Sequence, residues 1–341
     1  MSSETPPGHA GEVTVALDAM GGDRAPEEPV AGALAAARSG MRVLLVGDEE
    51  RLRREIAHHV GAPPEGLEVV HAPDRIHSEE DGARAVRAKP ESSMVVACRQ
   101  VAEGRAQAVM SSGHTGAMMA ACTLHLRRVS GVLRPGLAVV LPSVAGPFVL
   151  LDAGANAECR PEHLVQFALM GRLLAEDVLG IANPTVGVLS IGEEAGKGTE
   201  AVQQAYAALE GTPGFIGNVE GRDIPRGTAR VVVTDGFTGN VALKLYEGTG
   251  AMIMHQVRSA LMSSARGRMG GAIARPAFRG LRRFVDPEEY GGAYLLGVRG
   301  LAVIGHGNFT GRGIANAMRM AARGAREGSV EQLEAGLRGA A

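Results

Sequence analysis

Tryptophan is absent from this 341-residue chain, and Phe, Trp and Tyr together make up only 3% of it. A core must therefore be filled by aliphatic side chains and close backbone packing. At this length one large or two intimately joined domains are expected, folding without metal or disulfide staples. The three cysteines, Cys98, Cys122 and Cys159, are an odd set without CxxC spacing. They exclude a zinc cluster and read as small buried hydrophobes. Neither sign of charge dominates: 35 Lys and Arg against 37 Asp and Glu leave a net charge of −2, which argues against a nucleic-acid partner. No apolar run reaches the roughly 18 residues of a spanning helix. The start, "MSSETPPGHAGE", has neither a charged n-region nor an apolar h-region, so residues 1–11 are expected to be a disordered tail. The protein is expected in the cytoplasm, meeting a membrane only from the side. GxGxxG, the Walker lysine loop and the GxSxG elbow are also missing, which disfavours standard nucleotide binding and a serine nucleophile.

Glycine, by contrast, is abundant, with 48 residues. Short β-branched runs alternate with helical stretches, the pattern of an α/β fold whose parallel sheet is covered on both faces. Strands are predicted at 13–19, 42–47, 106–111, 137–142, 148–154, 185–192, 229–236 and 301–307, and many are apolar nearly throughout, as doubly buried strands are. Pro26, Glu27 and Glu28 suit a helix start, and Gly40 a stop. The segment 160–180 is similarly periodic. Residues 12–328 read as one α/β domain, with a soft boundary near Pro142–Pro147, a basic amphipathic helical insertion at about 248–285 and a C-terminal tail from 329.

The glycines cluster where strands end, and in open α/β sheets ligands bind beyond the carboxyl ends of strands. Such loops suit anions, because glycine lets backbone N–H groups converge at a helix N-terminus. "DAMGGDRAPEE" sets Gly21 and Gly22 between Asp18 and Asp23; a plain turn capped by Asp23 is the alternative. Ser112, Gly113, His114, Thr115 and Gly116 combine hydroxyls, an imidazole and backbone donors. Asp152 and Asn156 stand at the end of the fifth predicted strand, either as site residues or as an Asx turn. In "IGEEAGKGTE" Lys197 stands between Gly196 and Gly198. It is a point charge suited to phosphate or to a developing oxyanion, or else a solvent lysine balancing two glutamates. "DGFTGN" offers Asp235, Thr238, Gly239 and Asn240, and His306 lies between Gly305 and Gly307. Loops of this kind on one rim predict an anion pocket. No metal or cofactor is expected.

Read together, "DAMGGDRAPE", "SSGHTGAMMAA", "LLDAGANAECRPEHLVQFALMG", "IGEEAGKGTE", "FIGNVEGRDI", "VVVTDGFTGNVALK" and "EEYGGAYLLGVRG" resemble, in order and spacing, the phosphate acyltransferases of bacterial phospholipid synthesis, the PlsX family. The similarity runs from about Val13 to Ala322. It implies transfer of a long acyl chain from acyl carrier protein to inorganic phosphate, giving acyl phosphate. It also implies a three-layer α/β/α, Rossmann-like, mostly parallel sheet akin to phosphotransacetylases and isopropylmalate dehydrogenases, and a homodimer. A downstream acyl-phosphate:glycerol-3-phosphate acyltransferase is a further implied partner. Carried across, Lys197 and Asn240 are the active-site positions, and Asp18, Ser112, His114 and Asp235 are further candidates. His114 stands where the family commonly has asparagine, and the ending around Asn308 lacks the usual serine.

From 248 to 285 the chain has no Asp or Glu but has Arg258, Arg266, Arg268, Arg275, Arg279, Arg282 and Arg283. Met252, Ile253, Val257, Leu261 and Met262 share a helical face. The stretch fits the anionic inner face of the plasma membrane, the acidic carrier, or a dimer edge. Two other readings are a non-catalytic membrane-edge scaffold binding acyl donors and a nicotinamide dehydrogenase on a related scaffold. The latter needs a fingerprint or carboxylate cluster that is not apparent.

Overall fold

The computed structural model describes residues 13–339, so the expected N-terminal tail lies outside the described residues. Eleven described strands form one sheet: β1 (Thr14–Asp18), β2 (Arg42–Gly47), β3 (Leu67–His71), β4 (Ala108–Ser111), β5 (Gly136–Leu141), β6 (Phe148–Leu151), β7 (Val186–Leu189), β8 (Phe215–Val219), β9 (Val231–Val233), β10 (Ala293–Leu296) and β11 (Leu301–Ile304). Their order is β3-β2-β1-β4-β11-β10-β5-β6-β9-β7-β8. The helices are α1 (Glu27–Arg38), α2 (Glu49–His59), α3 (Gly82–Ala88), α4 (Ser93–Ala102), α5 (Thr115–His125), α6 (Pro161–Asp177) and α7 (Glu200–Leu209). They continue with α8 (Gly236–Met262), α9 (Ala265–Ile273), α10 (Arg275–Val285), α11 (Pro287–Tyr290), α12 (Gly311–Arg326) and α13 (Ser329–Gly339).

Alternate residues of each strand feed opposite faces, as strand geometry requires. Val15, Leu17, Val43 and Leu45 pack with α1, α2 and α12 in a core that continues under α6 and α7. Ala16, Leu44 and Val109 pack under α3, α4 and α5 on the other face. On that same face Phe148, Leu150 and Val232 meet Leu243 of α8. The result is a mostly parallel sheet between two helical layers. Three strands escaped the sequence reading. β3 and β8 are the sheet edges, where half the residues need not be apolar, and β10 is the third.

One expectation is corrected by strand direction. β10 runs antiparallel to both β11 and β5, and β5 runs antiparallel to β6. The strands β6, β9, β7 and β8 therefore point opposite to β1, β2, β3, β4 and β11. The glycine loops do not share one rim; they reach the sheet's middle from two ends. The segment Pro142–Pro147 is a tight turn from β5 to β6, closed by Ser143 and Gly146 bonding each other's backbone at 3.0 and 3.1 Å. Likewise only residues 297–300 separate β10 from β11. Antiparallel neighbours need no crossover helix, so these four strands bring none to cover their shared face.

The basic stretch is not a separate insertion at its start. Residue 248 falls inside α8, a 27-residue helix that begins at the candidate site and runs out into an arm made with α9 and α10. The residues from 329, expected as a tail, form α13, which packs on α6 with Leu333 buried. Helix α8 can approach the end of β6 because residue 239 is glycine: a Cβ there would collide with the carbonyl oxygen of Asp152. Gly239→Ala is expected to destabilise the fold by about 3 kcal/mol through overpacking against backbone, measured by urea unfolding; an unchanged midpoint would refute this contact.

Candidate active site

Over the uncovered middle of the sheet lies a cavity of about 740 Å³, within the range of small-molecule sites. Leu137, Val139 and Leu141 of β5 form its floor, and Leu243 and Ile253 of α8 its roof. Its polar border joins both halves of the sheet. Gly113 and Thr115 come from the loop after β4, His306 and Gly307 from the loop after β11, Gly154 from the loop after β6, and Asn240 from α8.

Asp18, at the end of β1, is buried and occupied. It accepts the hydroxyls of Ser93 (2.6 Å) and Ser111 (2.7 Å) and the Met20 N–H (3.2 Å). Gly21 passes directly over it, where a Cβ would lie 2.6 Å from Asp18 Oδ2 and 2.8 Å from Gly113 N. Beyond it Gly22 has φ +107°, and the Asp23 N–H donates to Gly307 O at 2.8 Å. Asp18 thus fastens the first two glycine loops together from below. The His114 ring is occupied too: Nδ1 accepts the Ala117 N–H (3.2 Å), capping α5, and Nε2 donates to Glu80 O (3.0 Å). The imidazole replaces an asparagine-type cap, which removes it as a free ligand group. Gly116 lies beside this ring. Ser112 is different, because its buried hydroxyl has no hydrogen-bond partner among the described residues. It is packed close to Gly305, where a Cβ would come within 2.6 Å of it.

Asp152, fully buried, gathers the loop after β6 around its carboxylate. Oδ1 accepts the N–H groups of Leu137, Gly154 and Ala155, and Oδ2 accepts the Asn156 N–H and Nδ2, all within 3.1 Å. Asn156 also donates to Pro135 O and accepts the Gly236 N–H at 2.7 Å. That bond seats the start of α8. Asp235 caps this helix through the Thr238 N–H (2.8 Å) and takes the Thr238 hydroxyl (2.9 Å). Asp152, Asn156, Asp235 and Thr238 are therefore the frame of the site, and Asn240 is what they present. Its Nδ2 donates to Ala153 O at 3.1 Å, leaving its second amide N–H and its Oδ1 for the chamber.

Lys197 is exposed in the loop after β7, its stem over Gly192, between Gly196 and Gly198. It does not line the chamber. Its loop follows a strand parallel to, and adjacent to, the one that leads into α8, so the two candidates share a sheet end but no described cavity. Among the described residues the lysine that does line the chamber is Lys244, one turn after Asn240, which contacts Glu247 (2.8 Å) and His306 (2.9 Å). The sequence reading missed it, although the i, i+4 spacing in "NVALK" signals a shared helix face. The cysteines offer no nucleophile. Cys98 and Cys122 are buried against each other, and burial, with nearby Asp152, pushes the Cys159 thiol up to about 12. Glu193, Glu220 and Asp223 lie close together, but Arg222 and Arg226 already pair with them.

Burial raises the Asp18 carboxyl above its ordinary 3.8, and its serine and backbone donors only partly offset this. Between 3.8 and that raised value the folded chain binds more protons than the unfolded chain. The stability Asp18 contributes is therefore complete below 3.8 and is lost as pH rises through the folded value. Asp18→Asn, which cannot titrate, should gain stability relative to the parent between about pH 4 and pH 7. Urea unfolding at both pH values tests this, and a pH-independent difference contradicts it.

Residues 13–332 match the family described as "Fatty acid synthesis protein". The chain is 53% identical over 306 residues to a phosphate acyltransferase of Thermus thermophilus, covering 89% of this chain and 92% of the relative. It is 49% identical over 321 residues to a phosphate acyltransferase of Moorella thermoacetica, covering 94% of each. A phosphotransacetylase from Streptococcus pyogenes superposes with a TM-score of 0.63 at 12% identity, over 92% of this chain and 94% of that one. This last likeness concerns the fold alone. With nearly its whole length matched, the chain belongs to the Fatty acid synthesis protein family, whose relatives named here are phosphate acyltransferases.

Proposed function

We propose that this protein transfers a long acyl chain from the thioester of acyl carrier protein to inorganic phosphate, forming acyl phosphate for phospholipid synthesis. The observation that carries this reading is the chamber itself: an aliphatic floor and roof suited to an acyl chain, bordered by the Asn240 amide and the start of α5 at Thr115. Each methylene buried there contributes about 0.8 kcal/mol, so the chain holds the thioester at the polar border. Phosphate is already anionic and attacks the carbonyl without a protein nucleophile. The protein's part is then to align phosphate with the carbonyl and to stabilise the tetrahedral oxyanion. Asn240 donates to that oxygen through its second amide N–H, the start of α5 at Thr115 faces the anions, and Lys197 supplies positive charge from the neighbouring loop. Neither a dinucleotide fingerprint nor a cofactor is required.

Mass spectrometry after mixing the protein with acyl carrier thioester and labelled phosphate should detect acyl phosphate. Asn240→Ala should lower kcat by about 10²- to 10³-fold, whereas Lys197→Ala should act mainly by raising KM for phosphate. Free fatty acid as the sole product would overturn the reaction class. An unchanged phosphate KM in Lys197→Ala would remove that lysine's role.

The arm supplies the peripheral half of the reading. No described helix is long and apolar enough to cross a membrane. Along α8, Phe237, Val241, Leu245 and Met252 are exposed on one stripe, suited to a second copy of the chain in a homodimer. Met262, Met269 and Ile273 are exposed further out, among arginines and without acidic residues, suited to an anionic membrane surface at about 1 kcal/mol per basic residue. Liposome flotation should retain the protein on anionic vesicles and not on neutral ones, and Met269→Glu with Ile273→Glu should abolish retention. Equal flotation on both vesicle types would refute the electrostatic part.

A further inference from the structure

The acyl transfer proposed above moves one proton. Hydrogenphosphate enters with a P–O–H, and the carrier leaves as a thiol. Among the described residues, five ionisable side chains line the chamber: Lys244, Tyr246, Glu247, Tyr290 and His306. The two phenols donate to the carbonyls of Pro142 and Phe284, and burial pushes both above their ordinary value. Glu247 accepts from Lys244 Nζ at 2.8 Å. What remains is a contact between Lys244 Nζ and His306 Nε2, 2.9 Å long, joining α8 to the loop after β11 across the chamber's opening. An ammonium can only donate, so Nε2 is the acceptor and the imidazole proton sits on Nδ1. Both side chains are solvent-exposed at this border, and Lys244 stands one helical turn from Asn240.

We propose that Lys244 and His306 form the relay that protonates the departing carrier thiolate, an inference that rests on the acyl-transfer reading. As a phosphate oxygen bonds to the carbonyl carbon, the C–S bond breaks and sulphur keeps its electron pair. His306 passes its Nδ1 proton to sulphur, Nε2 takes a proton from Lys244, and the Lys244 amine takes the proton that hydrogenphosphate gives up. One P–O–H and one C–S bond become one P–O–C and one S–H bond, with no other reactant. Exchange with solvent at the exposed imidazole restores its starting tautomer. Glu247 is a positioning residue that holds the ammonium between the two partners.

A relay to the leaving group matters most when that group is basic. The full-length protein is assayed for phosphate-dependent thiol release from two palmitoyl thioesters, one of acyl carrier protein and one of 4-nitrothiophenol, whose thiolate departs without a proton. For His306→Gln and Lys244→Gln, kcat/KM is expected to fall about 100-fold with the carrier thioester, and by less than a tenth of that factor with the aryl thioester. Equal losses on both substrates, or no loss on the carrier thioester, overturn the relay. If the parent releases neither thiol in response to phosphate, the acyl-transfer reading itself fails and the relay with it, a result distinct from equal losses in the variants.

Discussion

The site depends on a reversal of strand direction in the middle of the sheet. Elsewhere parallel neighbours are joined by helices, and each helix covers part of a face. At β10, β11, β5 and β6 the neighbours are antiparallel, and short turns join β5 to β6 and β10 to β11, so neither pair brings a connecting helix to that face. An aliphatic sheet surface is left between α5 and α8, and its contact with water is unfavourable at roughly 25 cal/mol per Å². In the proposed function the acyl chain covers it. The same reversal brings loops from oppositely directed halves to the two sides of one chamber, which a sheet of uniform direction does not do.

Around this gap the polar residues divide into two kinds. Asp18 and Asp152 are buried, each holding three or more donors from the surrounding loops. A buried carboxylate is tolerable only when so partnered, and the partnering makes it a structural clamp. The groups with unspent hydrogen-bonding capacity, Ser112 and Asn240, lie where those clamps set them. Glycine serves the same end at residue 239, where only the missing Cβ lets α8 lie against the carbonyl of Asp152. Preorganisation of this kind leaves little to rearrange when charge develops on a bound oxygen.

Helix α8 links the chamber to the exterior. Its first turns carry Asn240, Leu243 and Lys244 into the site, and its later turns carry exposed apolar residues into the arm with α9 and α10. At about 1.5 Å per residue, this single rigid element connects the proposed chemistry to the surface where a partner or lipid would be met.

Periodicity and glycine placement were enough to read eight of the strands, the helices after Pro26 and Arg160, and the loops that carry the candidates, because those features are local in sequence. The motifs "IGEEAGKGTE" and "DGFTGNVALK" pointed to Lys197 and Asn240 for the same reason. Local pattern carries no information on strand direction, so it placed all the glycine loops on one rim. It left Asp18 and His114 as candidate ligand groups and Asp152 open between a site residue and an Asx turn, since part of what occupies them, Ser93, Ser111, Leu137 and Glu80, lies far away along the chain. That Lys244 meets His306, across a separation of 62 residues, and that an apolar face stays uncovered between two helical layers, follow from which strands become neighbours. Long-range packing makes that choice, and so only the tertiary structure could decide it.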